Sequence, residues 1–247
     1  MSNIFEQFMP SNLNSMSWDN LKLNLTPSVK SHLKKVYTNM AVMLAISAFT
    51  CYLDIIGLVS FNYTLTSLAA LICLAAFAMT DEITSKDTAQ YLLYGFAALK
   101  GFSLAPLISL AIDMDSSIIF TALVSTALVF ISFSLSVMYS VNRQSLYITG
   151  FLSTSISSLF WLSFANRFIF QSSTMFSLEL YLGLAVFSMY VIYDTQVMIM
   201  KFEQGSKLYM RHTMELYIDL VALFVRLMVL LMKKKETEEE KKNKKRR

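Results

Sequence analysis

Two acidic residues stand where an acid is costly. Asp194 lies in the run Val191-Ile192-Tyr193-Asp194-Thr195-Gln196-Val197-Met198-Ile199-Met200. Asp219 lies in Leu216-Tyr217-Ile218-Asp219-Leu220-Val221-Ala222-Leu223-Phe224-Val225-Arg226-Leu227. Both runs read as membrane helices, where an ionisable side chain costs roughly 2.5–3.5 kcal/mol on insertion scales. Such a residue faces a partner or a water-filled path rather than lipid. A short polar loop joins the two runs, so the acids can come close. Two carboxyl groups at one site do not both ionise cheaply; they share a proton and titrate as a coupled pair. Ionised together, they offer hard oxygen ligands to a divalent cation such as calcium, in transit. The chemistry that follows is a pH-gated ion path.

Candidate charge partners are few. Arg226 is seven residues after Asp219, two turns along one face and about 10 Å away. It either meets the acids through a neighbouring helix or snorkels to the interface. Lys100, apolar on both flanks, either compensates an aspartate or snorkels. Glu215 is one turn before Asp219 but close to the loop, and reads as solvated. Asp54, Asp113 and Asp115 fall at span ends and read as boundary markers. Tyr190, one turn before Asp194, offers the blander alternative of a buried acid satisfied by a nearby donor.

The elements that must position these groups follow from composition. Of 247 residues, 55% are hydrophobic and 15% charged, and mean hydropathy is +0.51. That is a polytopic membrane protein, and the continuous apolar runs specify helices rather than a barrel. Seven segments are long enough to span or nearly so: about 36–53, 62–79, 91–112, 116–139, 146–165, 178–200 and 214–232. Thr26-Pro27-Ser28 reads as a helix start. Gly95, Gly101 and Pro106 in the third segment permit close approach and a kink. Polar loops are expected at 81–87, at Asn142-Arg143-Gln144, and from Lys201 to His212 around Gly205. The expected organisation is a polar cytosolic segment over 1–35, a seven-helix membrane domain over 36–232, and a disordered basic tail over 233–247.

Charge placement leaves the tail ambiguous. A basic amino-terminal flank, Arg143 and the Lys201, Lys207 and Arg211 loop all place one face in the cytosol. Seven crossings then put nine tail lysines and arginines on the far side. Either the rule fails there or the last segment does not cross; Asp219 and Arg226 make it the least hydrophobic, suited to a re-entrant or central position. The terminal Lys244-Lys245-Arg246-Arg247 resembles a cytosolic K-K-x-x retrieval signal, or is a basic tail drawn to anionic lipid. The net charge of +4 gives no reason to expect nucleic acid. Cys51 and Cys73 read as core side chains without a disulfide or zinc pattern. His32 and His212 lie in polar flanks, so no intramembrane histidine metal site is expected. No signal peptide is readable.

Several stretches resemble one family. His32-Leu33-Lys34-Lys35-Val36-Tyr37, Ala105-Pro106, Tyr193-Asp194-Thr195-Gln196, the run from Met210 to Leu220 and the lysine-rich tail are similar to the Bax inhibitor-1 family. The aromatic-Asp-Thr-Gln motif, with Asp219 following 25 residues after its aspartate, is the most specific part. The resemblance implies an endoplasmic-reticulum membrane protein, not an enzyme, that suppresses cell death and lets calcium leak from the store. It implies seven helices with the last one central, lipid and other membrane proteins of the cell-death machinery as partners, and no bound cofactor. It also implies that Asp194 and Asp219 form the pH sensor. Bacterial relatives carry an arginine in the second span that pairs with this sensor. Here that span is uncharged, so Lys100 or Arg226 would have to replace it. A regulator that transports nothing is the main alternative. An intramembrane aspartyl protease is disfavoured: Asp219 lacks a Gly-x-Gly-Asp setting and no Pro-Ala-Leu element follows. A seven-helix receptor lacks its Asp-Arg-Tyr and paired loop cysteines.

Overall fold

A computed structural model describes residues 26–139 and 146–246. The segment 1–25, the Asn142-Arg143-Gln144 loop and Arg247 lie outside the described residues. Seven α-helices follow in order: α1 Pro27–Ile55, α2 Tyr63–Met79, α3 Lys86–Asp115, α4 Ser117–Tyr139, α5 Leu146–Ala165, α6 Ser173–Glu203 and α7 Tyr209–Arg246. A π-helical turn, Asn166–Phe170, joins α5 to α6. No strand occurs among the described residues. Four of the helices, α1, α3, α4 and α6, are long and apolar enough to cross a membrane by themselves.

The helix starts follow capping chemistry. The Thr26 hydroxyl accepts from the Val29 N–H at 3.4 Å, with Pro27 in the first turn. Asn62 Oδ1 accepts from Thr64 N at 3.1 Å and Leu65 N at 3.4 Å, opening α2. Gly57 and Gly205, at φ +73° and +98°, occupy the left-handed turns after α1 and α6.

Lipid gives apolar surfaces little reason to leave it, so the helices associate through close packing and interhelical hydrogen bonds. The α1–α3 contact shows both. A Cβ at Gly101 would collide with the Thr50 hydroxyl and the Ser47 backbone. The Ser47 hydroxyl reaches Ala97 O at 2.8 Å and the Tyr217 hydroxyl at 2.6 Å, so one side chain ties α1 to α3 and α7. Thr50 donates to Ala98 O at 3.0 Å. Leu65, Leu68, Phe120 and Leu128 face outward, as a lipid-facing surface requires.

α7 is the central helix. It packs on α1, α3, α4 and α6, and Leu216, Tyr217, Leu223 and Met228 are fully buried. Carrying Glu215, Asp219 and Arg226, it is the segment least suited to lipid, and the other helices shield it. It is not re-entrant. Its start meets Glu82 in the α2–α3 loop, and its far part meets Asp115 at the α3–α4 turn. α7 therefore runs the depth of the bundle, and residues 233–246 leave at the end opposite to residues 26–35.

The tail also differs from the expected disordered segment over 233–247: α7 stays helical to Arg246. The buried turns before it remove the nucleation cost. Lys234–Glu238, Lys235–Glu239 and Glu238–Lys242 are spaced four apart, each pair contributing about 0.2–0.5 kcal/mol. Lys233 Nζ donates to Ser173 O at 2.9 Å and Ser177 Oγ at 2.5 Å, and Lys235 Nζ to Asp115 Oδ2 at 2.6 Å.

Candidate functional site: an acid cluster along the central helix

α6 and α7 run side by side. Asp194 projects from the middle of α6 and Asp219 from the third turn of α7. The two carboxyl groups come within hydrogen-bonding reach of each other. Asp219 is 4% exposed and its Oδ2 has no partner, so it is sealed from lipid and water alike. Asp194 is half-buried. Below it the Thr195 hydroxyl returns to Val191 O at 2.7 Å, leaving that hydroxyl committed to its own helix. Tyr190 lies close to both acids.

Glu215 is a third acid at this site. Its charge acts on Asp194 and Asp219 alike. Sequence spacing places it one turn from Asp219 and close to the loop, where a start of the segment at about Met214 makes it read as solvated. α7 begins at Tyr209, so Glu215 belongs to the second turn. It meets His212 Nδ1 at 3.3 Å.

His212 and His32, placed by the sequence in polar flanks, are buried at 1% and 5% exposure. Their rings meet edge to face at 5.8 Å, and His32 stacks on Phe202 at 4.3 Å. Glu82 closes this end. Its Oε1 accepts from Met210 N at 2.9 Å and its Oε2 from Arg211 N at 3.1 Å. Those are orphan N–H groups of the first turn of α7, satisfied by a carboxylate 128 residues away. Burial pushes the Glu82 carboxyl above its usual range, and the two N–H groups only partly oppose this. Arg211 donates to Ala78 O at 3.2 Å, tying the last turn of α2 to the same end of α7.

Neither candidate charge partner reaches the aspartates. Arg226 lies over the Phe187 ring at 4.2 Å, against Gly183, where a Cβ would meet its guanidinium. It donates weakly to Ala222 O at 3.4 Å and faces the charge of Glu179. Lys100 lines a cavity between α2, α3 and α7, together with Arg226. Two helical turns carry Arg226 toward the far end of α7, and cation–π stacking holds it there. The cation whose charge acts on Asp194 is Lys201, at the end of α6. Asp115 is likewise more than a boundary marker, since it pairs with Lys235.

Among the described residues no group of three or more His, Cys, Asp and Glu is arranged to hold a metal ion. Two carboxylates alone can offer oxygens to a cation in passing, without the six to eight ligands of a resident calcium site.

A family model described as inhibitor of apoptosis-promoting Bax1 matches residues 29–236. The chain is 37% identical to Bax inhibitor 1 of Arabidopsis thaliana, over 92% of each chain. It is 38% identical to Bax inhibitor 1 of Rattus norvegicus, covering 84% of this chain and 87% of that protein. For Bax inhibitor 1 of Homo sapiens the identity is 36%, with 84% of this chain and 87% of that protein covered. A multi-pass helical bundle with a buried last helix, matched along nearly its whole length, belongs to the Bax inhibitor-1 family.

Proposed function

We propose that this chain is a negative regulator of apoptosis in the endoplasmic-reticulum membrane, acting as a pH-sensitive calcium leak path gated by a proton shared between Asp194 and Asp219. The observation that carries this reading is the meeting of the two carboxyl groups across the α6–α7 interface, with Asp219 sealed from solvent. Ionised, the pair together with Glu215 draws a divalent cation into the bundle. A shared proton lowers that charge and binds α6 to α7 through a carboxyl–carboxylate hydrogen bond. Titration thus changes both the affinity of the path for calcium and the freedom of the two helices to separate. Arg226 and Lys100, being elsewhere, leave gating to the acids and to Lys201.

The test is calcium flux from proteoliposomes holding the purified chain, across a pH series. Asp219→Asn is expected to change the leak and flatten its pH response, and Asp194→Asn to do the same. Flux and pH profile identical to the parent chain would reject the mechanism. No flux from the pure protein at any pH would point instead to a regulator working through partner membrane proteins.

A further inference from the structure

α2 packs on α3 and leaves a gap toward α7. The gap is a cavity of about 420 Å³, within the range of small-ligand pockets, roughly 300–1,000 Å³. Lys100 and Arg226 both line it, with Ser67 and the apolar side chains of Leu71, Leu74 and Val225. Leu71 is 62% exposed, so the mouth of the cavity reaches the lipid-facing surface. Lys100 and Arg226 come from the middle of their helices, where an uncompensated charge is most costly.

The two cations are not equally provided for. Arg226 has the Phe187 ring, the Ala222 carbonyl and the charge of Glu179. Among the described residues no carboxylate pairs with Lys100. The cavity therefore carries about one positive charge in excess, beside an apolar wall open to the bilayer. Ser67 adds a hydroxyl, shared with the Ser103 hydroxyl at 2.7 Å.

We propose that this cavity binds a single-chain anionic amphiphile, a fatty acid, with its carboxylate on Lys100 and its chain along Leu71, Leu74 and Val225. One negative head balances the excess charge. One acyl chain suits a narrow volume open at its side. Phospholipids share the monoanionic head but bring two chains and a bulky headgroup. The inference does not depend on calcium conduction, since the cavity and the Asp194–Asp219 pair are separate places in the bundle.

Equilibrium binding of labelled oleate to the full chain in nanodiscs of neutral phospholipid tests it. Saturable binding to one site is expected. Lys100→Met, which removes a buried charge and so favours the fold, is expected to raise the Kd about thirtyfold or more. Leu74→Trp, which fills the cavity and keeps both cations, is expected to abolish binding. Oleyl alcohol, of the same chain without the charge, is expected not to displace oleate. Several results would overturn the proposal: no saturable binding, an unchanged Kd in Lys100→Met or in Leu74→Trp, displacement by oleyl alcohol as effective as by oleate itself, or displacement by phosphatidylglycerol at equal mole fraction.

Discussion

At one end of α7, Glu82 reaches from the α2–α3 loop and accepts two backbone N–H bonds in a buried setting. At the other end, Lys235 reaches from α7 to Asp115 in a part-exposed ion pair at 2.6 Å. A carboxylate in a connection therefore holds the central helix at each end, by opposite physics. Glu82 is 9% exposed and bonded to two main-chain N–H groups of the first turn of α7. Asp115 and Lys235 stay in contact with water, which competes for both. Buried partners are costly to leave unmade, whereas exposed ion pairs contribute at most about 1 kcal/mol. Asp219 sits between these anchors, ten residues from the start of the helix, so the Glu82 end sets its position opposite Asp194.

The largest effect that tests this asymmetry is Glu82→Ala. It leaves the buried Met210 N–H without an acceptor, costing about 1–3 kcal/mol, and the part-buried Arg211 N–H at a smaller cost, so a loss of about 2–3 kcal/mol is expected. Glu82→Gln keeps one carbonyl acceptor and should lose less. Unfolding of the purified protein in mixed micelles measures both. The same loss for alanine and glutamine would mean that Glu82 acts by charge alone, and no loss for either would remove the anchor.

The pH response should also run in opposite senses. Glu82 titrates above its usual value, because burial outweighs its two N–H bonds. The folded chain then holds that proton more tightly than the unfolded chain. Its contribution is fully present below about 4.5 and falls as pH rises through the raised folded value. Asp115 is held below the usual carboxylate range by the Lys235 and Ser117 bonds. Its contribution is present above about 3.8 and falls as pH drops through the depressed folded value. Acidification from neutral should first gain stability from Glu82 and only later lose it from Asp115. Melting temperatures across a pH series should show the first limb vanish in Glu82→Gln and the second in Asp115→Asn. A single limb affected by both variants would contradict the comparison.

What the sequence could show depends on how local each cause is. Seven helices were legible because an apolar run and its caps are local, and the start at Thr26-Pro27 follows from capping chemistry. Asp219 and Arg226, whose cost in lipid calls for shielding, leave a re-entrant or a central place open for α7, and the family resemblance points to the central one. Glu82 was not legible. Its partners are 128 residues away, and a loop glutamate looks the same whether it faces water or a buried helix end. Glu215 reads as solvated from its place near the loop, and His32 and His212 read as residues of polar flanks, because local composition does not show which neighbours pack against a flank. The first turns of α1 and α7 pack together and bury His32 and His212 against Phe202 and each other, while Glu215 stays part-exposed beside His212. Arg226 was placed on the face of Asp219 by periodicity, but Gly183 and Phe187 on α6 decide where its guanidinium goes. The tail read as disordered on charge content, which omits the folded helix feeding into it.

The smallest expected effect is at the exposed end. Asp115→Asn removes the pair with Lys235 but leaves both side chains in contact with water, so the loss at neutral pH should be small, at most about 1 kcal/mol. Lys233 still ties α7 to Ser173 and Ser177, so the helix keeps one anchor there. Removing both, with Lys233→Met and Lys235→Met together, should free the last turns while the buried part of α7 stays in place. Amide exchange reads this directly: protection should fall for residues beyond 233 and persist around Asp219. If protection around Asp219 also fell, the two ends of α7 would be one cooperative unit, and the contrast between a buried and an exposed anchor would have no mechanical meaning.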